Sequence, residues 1–137
     1  KLLHERINSS LIVYRDKIIP INNMFGSYPV PVGNNTTCHR EAIQISQYSP
    51  GQEYMFHHDT ASNPNSKEYH RQISIVLYLN DNFDGGGTEF PHKIYKPSPG
   101  YGLIFPSNWC FPHSGQKVLS GTKRVAVTWY YVQDVRG

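Results

Sequence analysis

Two residues that can bind a metal lie close together near the middle of the chain. His57 and Asp59 are separated only by His58. On an extended backbone alternate side chains point to the same face, so His57 and Asp59 lie roughly 6.6 Å apart and can reach one ion, while His58 points the other way. A pair of this kind needs one more histidine to form the two-histidine, one-carboxylate site of non-haem Fe(II) oxygenases. The chemistry predicted is therefore metal-dependent oxidation.

The best candidate for the missing ligand is His113. It follows a strand-like run and precedes a glycine-containing turn into the last predicted strand, which begins where Lys123 and Arg124 lie side by side. A metal ligand followed by a basic residue is an arrangement that suits a metal beside an anionic ligand. The other histidines, His4, His39, His70 and His92, have no such setting.

Strand parity favours Lys123 over Arg124 as the cation that binds the anion. Lys123 shares a face with Val125, Val127 and Trp129, and this face is the more apolar one. A charged group on an apolar face is costly to bury unless it is paired. A bound anion would be the partner of Lys123, and Arg124 remains the alternative.

Short strands separated by turns carry these residues. Apolar and polar residues alternate from Ala42 to Tyr48 and from Gln72 to Asn80, which is typical of strands with two different faces. Further strands are predicted to begin at Thr88 and to cover 101–106 and 124–132, with glycine- and proline-rich turns between them. Residues 1–10 are predicted to be a short helix, and residues 11–30 a mixture of strand fragments and loop. Many short strands predict a sandwich, jelly roll or barrel.

The polar faces of the two alternating strands allow two arrangements. In a simple sandwich they would meet solvent. In a small barrel they would line a reactive cleft, and residues 1–37 could cover the apolar faces. The pattern leaves both arrangements open.

Length and composition limit the other possibilities. The 137 residues predict one domain, and ten Tyr and six Phe among many Gly and Pro residues favour a β-rich fold. The net charge of +3 is modest and the basic residues are spread along the chain, so no nucleic-acid partner is expected. No apolar run approaches the length of a membrane span and no signal-peptide pattern is present, so a cytoplasmic protein without a membrane partner is expected.

In this order, His57-x-Asp59, Gly86-Gly-Thr-Glu-Phe-Pro, His113 and Lys123 resemble the 2-oxoglutarate- and Fe(II)-dependent dioxygenases, and most closely their prolyl 4-hydroxylase branch. The similarity runs from about Ile43 to Tyr131. It implies a mainly β fold, a double-stranded β-helix or jelly roll, with a short N-terminal covering segment. The chain would then be a single dioxygenase domain over 1–137 with a catalytic core at about 42–132.

The resemblance also implies roles for individual residues. The iron ligands would be His57, Asp59 and His113. Lys123 would pair with the distal carboxylate of 2-oxoglutarate, and the other residues implied to contact this cosubstrate are Tyr48, Tyr78 and Thr88. The residues implied to meet the substrate are Tyr54, Arg71 and Trp129.

The implied activity is hydroxylation of a C–H bond with Fe(II), O2 and 2-oxoglutarate, supported by ascorbate. A prolyl residue in a peptide or protein is the expected substrate. A free amino acid or another small molecule is the alternative within the same chemistry, and a jelly-roll metal- or ligand-binding module is the non-enzymatic alternative. Nucleic-acid demethylation is disfavoured because no second arginine follows Arg124 until Arg136.

Overall fold

The computed structural model of the chain describes residues 1–18 and 38–132, which form one α-helix followed by short strands. The helix is α1 (Leu2–Ile18), and a 3-10 helix covers Lys67–His70. The strands are β1 (Cys38–Arg40), β2 (Gln44–Tyr48), β3 (Tyr54–His57), β4 (Arg71–Tyr78), β5 (Phe83–Gly85), β6 (Thr88–Phe90), β7 (Lys93–Tyr95), β8 (Gly102–Pro106), β9 (His113–Gly115), β10 (Val118–Gly121) and β11 (Lys123–Val132). The predicted mainly β architecture is confirmed.

Two antiparallel sheets make up most of the structure. The larger has the order β1-β11-β4-β8, with β2 pairing with β11 as well, and the smaller has the order β3-β9-β6-β7. A further pair, β5 with β10, lies apart from both. The long strand β11 is central to the larger sheet, because β4 pairs along one edge while β1 and β2 share the other.

Helix α1 covers the outer face of the larger sheet. Ile7 and Leu11, one helical turn apart, are buried in one cluster with Ile73, Ile75 and Tyr130. Side chains four residues apart lie on the same helix face, so one stripe of α1 meets the sheet. This is the covering layer that the sequence placed within residues 1–37. In the described part of the chain, no helix has the length and apolar character that crossing a membrane requires.

The length of α1 corrects the prediction for the N-terminal part. The helix does not end near residue 10 but continues to Ile18, so the strand fragments predicted from Leu11 onward are wrong as far as that residue. The apolar positions Leu3, Ile7, Leu11 and Tyr14 repeat every three or four residues and all pack on the core, which is a helical spacing. Residues 19–37, where the rest of that prediction falls, lie outside the described residues.

The inner faces of β2 and β4 carry polar residues. On β4, Ile73 and Ile75 point to α1, while Ser74 and Tyr78 are buried on the opposite side. On β2, Gln44, Ser46 and Tyr48 line a cavity between the two sheets. Of the two arrangements left open by the sequence, the structure therefore has the one in which polar faces line a cleft. Ile45 departs from the pattern, because 60% of it is exposed and no element covers it among the described residues.

Candidate metal centre and adjoining cavity

The smaller sheet brings His57, Asp59 and His113 together. His57 ends β3 and His113 begins β9, and the two are direct partners in the ladder between these strands. Asp59 follows β3 by two residues, and its backbone N–H donates to the carbonyl of Ser107. Asp59 Oδ1 lies 3.0 Å from His57 Nε2 and 3.4 Å from His113 Nε2. One ligand atom from each residue lies within 4.8 Å of the others, so the three could hold one metal ion.

Both histidines present the same ring nitrogen to this centre. His57 Nδ1 lies 2.7 Å from the carbonyl oxygen of Met55, and His113 Nδ1 lies 3.0 Å from that of Phe111. A carbonyl oxygen can only accept, so each Nδ1 carries a hydrogen and Nε2 is the nitrogen that each ring turns toward the centre. This hydrogen-bond pattern orients both rings and leaves Nε2 of each as the atom that would bind a metal.

The charge states of the three groups also suit a cation. Burial alone would raise the pKa of Asp59, but hydrogen bonds from His57, Ser74 and Trp129 and the charge of His113 lower it to about 2. Burial lowers the pKa of His113. Burial likewise opposes protonation of His57, although its bonds to Asp59 and Met55 leave its pKa raised. The donor set at neutral pH is thus an ionised carboxylate with imidazoles that a metal can deprotonate.

A cavity of about 490 Å³ opens from this centre between the two sheets. Strands β2, β4 and β11 of the larger sheet form one wall, and β3, β6 and β9 of the smaller sheet form the other. Besides the three candidate ligands, the predicted site residues that line the cavity are Tyr48, Tyr54, Arg71, Thr88, Lys123 and Trp129. Tyr78 does not line it.

Lys123 lies on the cavity side of β11 and is 5% exposed. Its Nζ lies 5.2 Å from the ring centroids of both Tyr48 and Tyr78, and in the described part of the chain it has no ion pair or hydrogen bond. Burial, helped by the charge of Lys96, lowers the pKa of Lys123 to about 8. A buried cation of this kind lacks the counter-charge that an anionic ligand would supply.

Arg124, the alternative cation, faces away from the cavity. It is exposed, and its Nε donates to Gln47 Oε1 at 3.2 Å. Gly86 makes room on the Lys123 side, because a Cβ there would lie 3.2 Å from Lys123 Cδ and 3.0 Å from the Phe83 ring. Gly86 also has a φ of +67°, a backbone angle that residues with a side chain rarely adopt.

The hydroxyl groups of Tyr78 and Thr88 contact each other. Thr88 lines the cavity, and Tyr78 lies behind it. Thr88 Oγ1 lies 2.8 Å from Tyr78 OH, which also donates to the Gly86 carbonyl at 3.2 Å. Tyr78 is fully buried, and burial raises the pKa of its hydroxyl. Thr88 is thus the member of the pair that a ligand in the cavity can reach directly.

Arg71 and Trp129, predicted to meet substrate, are packed against each other. The guanidinium carbon of Arg71 lies 3.6 Å from the centroid of the Trp129 ring. Glu41 accepts from Arg71 Nε at 2.6 Å and from Nη2 at 3.0 Å, and Lys67 reaches the same carboxylate at 3.0 Å. Burial opposes ionisation of Glu41, but the two cations outweigh it and lower its pKa. Trp129 Nε1 donates to Asp59 Oδ2 at 3.0 Å, so this cluster is joined to the candidate metal centre.

The mouth of the cavity is formed by residues near β3. Tyr54 is 53% exposed, and its ring centroid lies 4.5 Å from that of His57. His58, which was not expected to bind a metal, is exposed, and its Nδ1 lies 2.9 Å from Thr60 Oγ1. Glu68, from the 3-10 helix, also lines the cavity.

Sequence reasoning missed three polar residues that hold the predicted ones in place. They are Glu41, Ser74 and Ser107, all buried. Parity on β4 could have found Ser74, because it lies on the same face as Tyr78. No local pattern points to Glu41 or Ser107, since their partners come from distant parts of the sequence.

Comparisons with known proteins agree with this geometry. The sequence profile of the 2OG-Fe(II) oxygenase superfamily matches residues 43–131. A provisionally named prolyl 4-hydroxylase of Acanthamoeba polyphaga mimivirus is 33% identical over 125 residues, which cover 79% of this chain and 50% of the relative. Prolyl 4-hydroxylase 1 of Arabidopsis thaliana is 34% identical over 113 residues, which cover 65% of this chain and 40% of the relative. The chain thus spans half or less of the length of these two relatives.

The fold is shared with a solved viral enzyme. The collagen prolyl hydroxylase of Paramecium bursaria Chlorella virus-1, crystallised with 2OG, superposes with a TM-score of 0.63 at 25% identity, covering 88% of this chain and 72% of the viral chain. A truncated form of the same viral enzyme gives a TM-score of 0.66 over 93% of this chain and 70% of its own, at 22% identity. The predicted double-stranded β-helix is confirmed.

Proposed function

We propose that this chain, which belongs to the 2OG-Fe(II) oxygenase superfamily, hydroxylates a prolyl residue in a peptide or protein. One observation carries the proposal: the cluster of His57, Asp59 and His113 opens into the same cavity as the buried cation of Lys123, which has no ion pair within residues 1–18 and 38–132. A metal site and an anion site in one cavity are what a 2-oxoglutarate oxygenase requires. We further propose that residues 1–137 form a single domain with its catalytic core at about 42–132. A cytoplasmic location remains a prediction from the sequence.

The metal ligands in this proposal are His57 Nε2, Asp59 Oδ1 and His113 Nε2. Two imidazole nitrogens and one carboxylate oxygen are the donor set of non-haem Fe(II) oxygenases, and they leave further coordination positions open. When bound, Fe(II) and 2-oxoglutarate supply the oxidation: O2 provides one oxygen atom to the succinate formed by decarboxylation and the other to the new hydroxyl group. The protein's own contribution is to orient these ligands and exclude water.

Lys123 binds the distal carboxylate of 2-oxoglutarate in this proposal. The ammonium group already lies in a low-dielectric wall, so pairing with a carboxylate there is stronger than it would be in water. Thr88 and Tyr48, beside Lys123 on the wall, add hydroxyl groups for the same cosubstrate. Tyr78 supports the site through Thr88.

The substrate enters past Tyr54 and Arg71. The half-exposed ring of Tyr54 offers an apolar face for a pyrrolidine ring next to the metal ligand His57. Arg71 Nη1 has only a long, 3.5 Å contact with the Asp59 carbonyl, so this nitrogen can donate to a carbonyl group of a peptide. Trp129, beneath the guanidinium, keeps that group at the cavity wall.

The experiment is reconstitution with Fe(II), 2-oxoglutarate, O2 and ascorbate in the presence of proline-containing peptides. We expect succinate formation that depends on peptide and the addition of one oxygen atom to the prolyl residue, read by mass spectrometry. The matched control is the same peptide with alanine in place of proline. Oxygen addition to a free amino acid but to no peptide would instead assign a small-molecule substrate. If the folded protein binds neither Fe(II) nor 2-oxoglutarate, the remaining interpretation is a non-enzymatic jelly-roll module that binds another metal or ligand.

A further inference from the structure

Two buried hydroxyl groups lie directly behind the candidate metal ligand Asp59. Ser74 on β4 is fully buried, and Ser107, which follows β8, is 1% exposed. Ser74 Oγ lies 2.5 Å from Asp59 Oδ2 and 2.8 Å from Ser107 Oγ. These three residues come from three separate segments, so the contact exists only in the folded chain.

The hydrogen bonds in this group run in one direction. An ionised carboxylate can only accept, so the Ser74 hydroxyl donates its hydrogen to Asp59 Oδ2. Ser74 then has no hydrogen left, and the Ser107 hydroxyl must donate to Ser74. The backbone carbonyl of Ser107 also accepts the N–H of Asp59 at 3.0 Å, and the backbone N–H of Ser107 donates to the Gln72 carbonyl at 2.9 Å. Ser107 therefore fixes both the backbone and, through Ser74, the carboxylate of Asp59.

The two oxygens of Asp59 consequently have different surroundings. Oδ2 accepts from Ser74 and from Trp129 Nε1, whereas Oδ1 faces the two histidine Nε2 atoms. A carboxylate oxygen that already accepts two hydrogen bonds is a weak metal ligand. Two-oxygen coordination would require the bonds to Oδ2 to break or lengthen.

We propose that Ser74 and Ser107 are positioning residues that restrict Asp59 to binding the metal through Oδ1 alone. This inference rests on the proposed function, because it takes His57, Asp59 and His113 as the metal ligands. One-oxygen binding keeps a coordination position free, which chelating 2-oxoglutarate and O2 both need. The Ser74 and Ser107 hydroxyl groups thus keep a coordination position of the metal free and increase the affinity of the site for the metal.

The test is titration of the full chain with Co(II), followed by its visible absorption, and with Fe(II) plus 2-oxoglutarate without O2, followed by the charge-transfer band. Loss of a group that orients a metal ligand typically lowers affinity about 10- to 100-fold. We expect Ser74→Ala to lower Co(II) affinity within that range, to alter the Co(II) spectrum and to weaken the charge-transfer band. Ser107→Ala should have the same effects to a smaller extent, because Ser74 can still donate to Asp59. Ser74→Thr, which keeps the hydroxyl, should restore most of the affinity.

The matched control is Thr128→Val. Thr128 is also fully buried, but its hydroxyl donates to the Glu41 carbonyl and does not contact Asp59. This variant should lose stability without a change in the Co(II) spectrum. If Ser74→Ala does not fold, the Co(II) affinity and spectrum of Ser107→Ala are compared with those of Thr128→Val instead.

The possible failures are distinguishable. Wild-type protein that binds no Co(II) would overturn the metal assignment and this positioning role with it. Wild-type binding with unchanged affinity and spectra in folded Ser74→Ala or Ser107→Ala would overturn the positioning role alone.

Discussion

His57 on β3 and His113 on β9 are cross-strand partners whose ring centroids lie 4.5 Å apart. Antiparallel pairing of two short strands therefore brings together two histidines that are distant in sequence. Phe90 and Phe105 flank His113, with ring centroids 5.4 Å and 4.8 Å from its own. The imidazoles are thus held by strand register on one side and by aromatic packing on the other, before any metal binds.

Replacing His113 with alanine should abolish metal binding and turnover. Two ligands remain, and we expect Co(II) or Fe(II) affinity to fall at least about 100-fold, since even the loss of groups that only support a ligand costs 10- to 100-fold. Titration of apoprotein, with circular dichroism to verify folding, measures the change. His92→Ala is the control, because His92 is exposed and lies outside the metal cluster. Unchanged turnover in folded His113→Ala would rule out the triad.

Lys123→Ala should weaken the binding of 2-oxoglutarate, whereas Arg124→Ala should not. A lost hydrogen bond between charged groups corresponds to roughly 10- to 100-fold in affinity. Arg124 faces away from the cavity and bonds to Gln47, so its removal should change affinity less than about twofold. The KM for 2-oxoglutarate and its anaerobic Kd are the measurements. The reverse result would show that Arg124 is the carboxylate-binding cation.

The pH dependence of 2-oxoglutarate binding should report the pKa of Lys123, which burial and Lys96 lower to about 8 in the free protein. Only protonated lysine attracts a carboxylate, so affinity should be constant well below pH 8 and fall up to tenfold per pH unit above it. A bound carboxylate favours the protonated form, so the pKa should rise in the complex. Lys123→Arg keeps its charge at these pH values and should flatten the profile. A wild-type profile without a break near pH 8 would contradict this prediction.

The sequence allowed the inner faces of the strands to be predicted because side-chain direction alternates strictly along a strand. Lys123, Val125, Val127 and Trp129 do share the cavity face of β11. The same rule applied to β4 separated Ile73 and Ile75 from Ser74 and Tyr78. These predictions needed only local periodicity, together with the resemblance that assigned the motifs.

Other features depend on contacts between remote segments, which periodicity does not encode. Glu41 is important because Arg71 and Lys67 reach it, and Ser107 because the loop after β8 passes behind Asp59. The length of helix α1 was underestimated because its apolar residues between 11 and 14 resemble a strand when they are considered without Leu3 and Ile7.

Substitutions at the cavity mouth should impair peptide hydroxylation more than the conversion of 2-oxoglutarate to succinate without peptide. Tyr54 and Arg71 lie on the wall beside the metal cluster but are not proposed to bind the metal or 2-oxoglutarate. We expect Arg71→Ala, which loses one hydrogen bond to the peptide, and Tyr54→Ala, which loses the apolar ring face, each to reduce peptide hydroxylation by about tenfold or more. Succinate formation without peptide should change much less. Equal losses in both assays would remove these residues from the substrate site.

Glu41 should make stability sensitive to acid. Burial opposes its ionisation, but Arg71 and Lys67 lower its folded-state pKa below 4.5. A carboxyl group with a lowered pKa stabilises the fold above its unfolded pKa, and this stabilisation is lost as the pH falls through the folded value. Asp59, lowered from 3.8 to about 2, acts in the same direction. Wild-type protein should therefore lose unfolding free energy progressively below about pH 4.5.

Glu41→Gln tests this origin of the acid sensitivity. At neutral pH it should lower the free energy of unfolding by on the order of 3 kcal/mol, because the Arg71 side chain, which is only 10% exposed, loses its counter-charge. Below about pH 4.5 its stability should fall less steeply than that of wild type, because Asp59 remains but Glu41 does not. Urea unfolding across this pH range measures both effects, with exposed Glu53→Gln as the matched control. If Glu41→Gln and wild type have parallel pH profiles, the Glu41 ion pairs are not the source of the acid sensitivity.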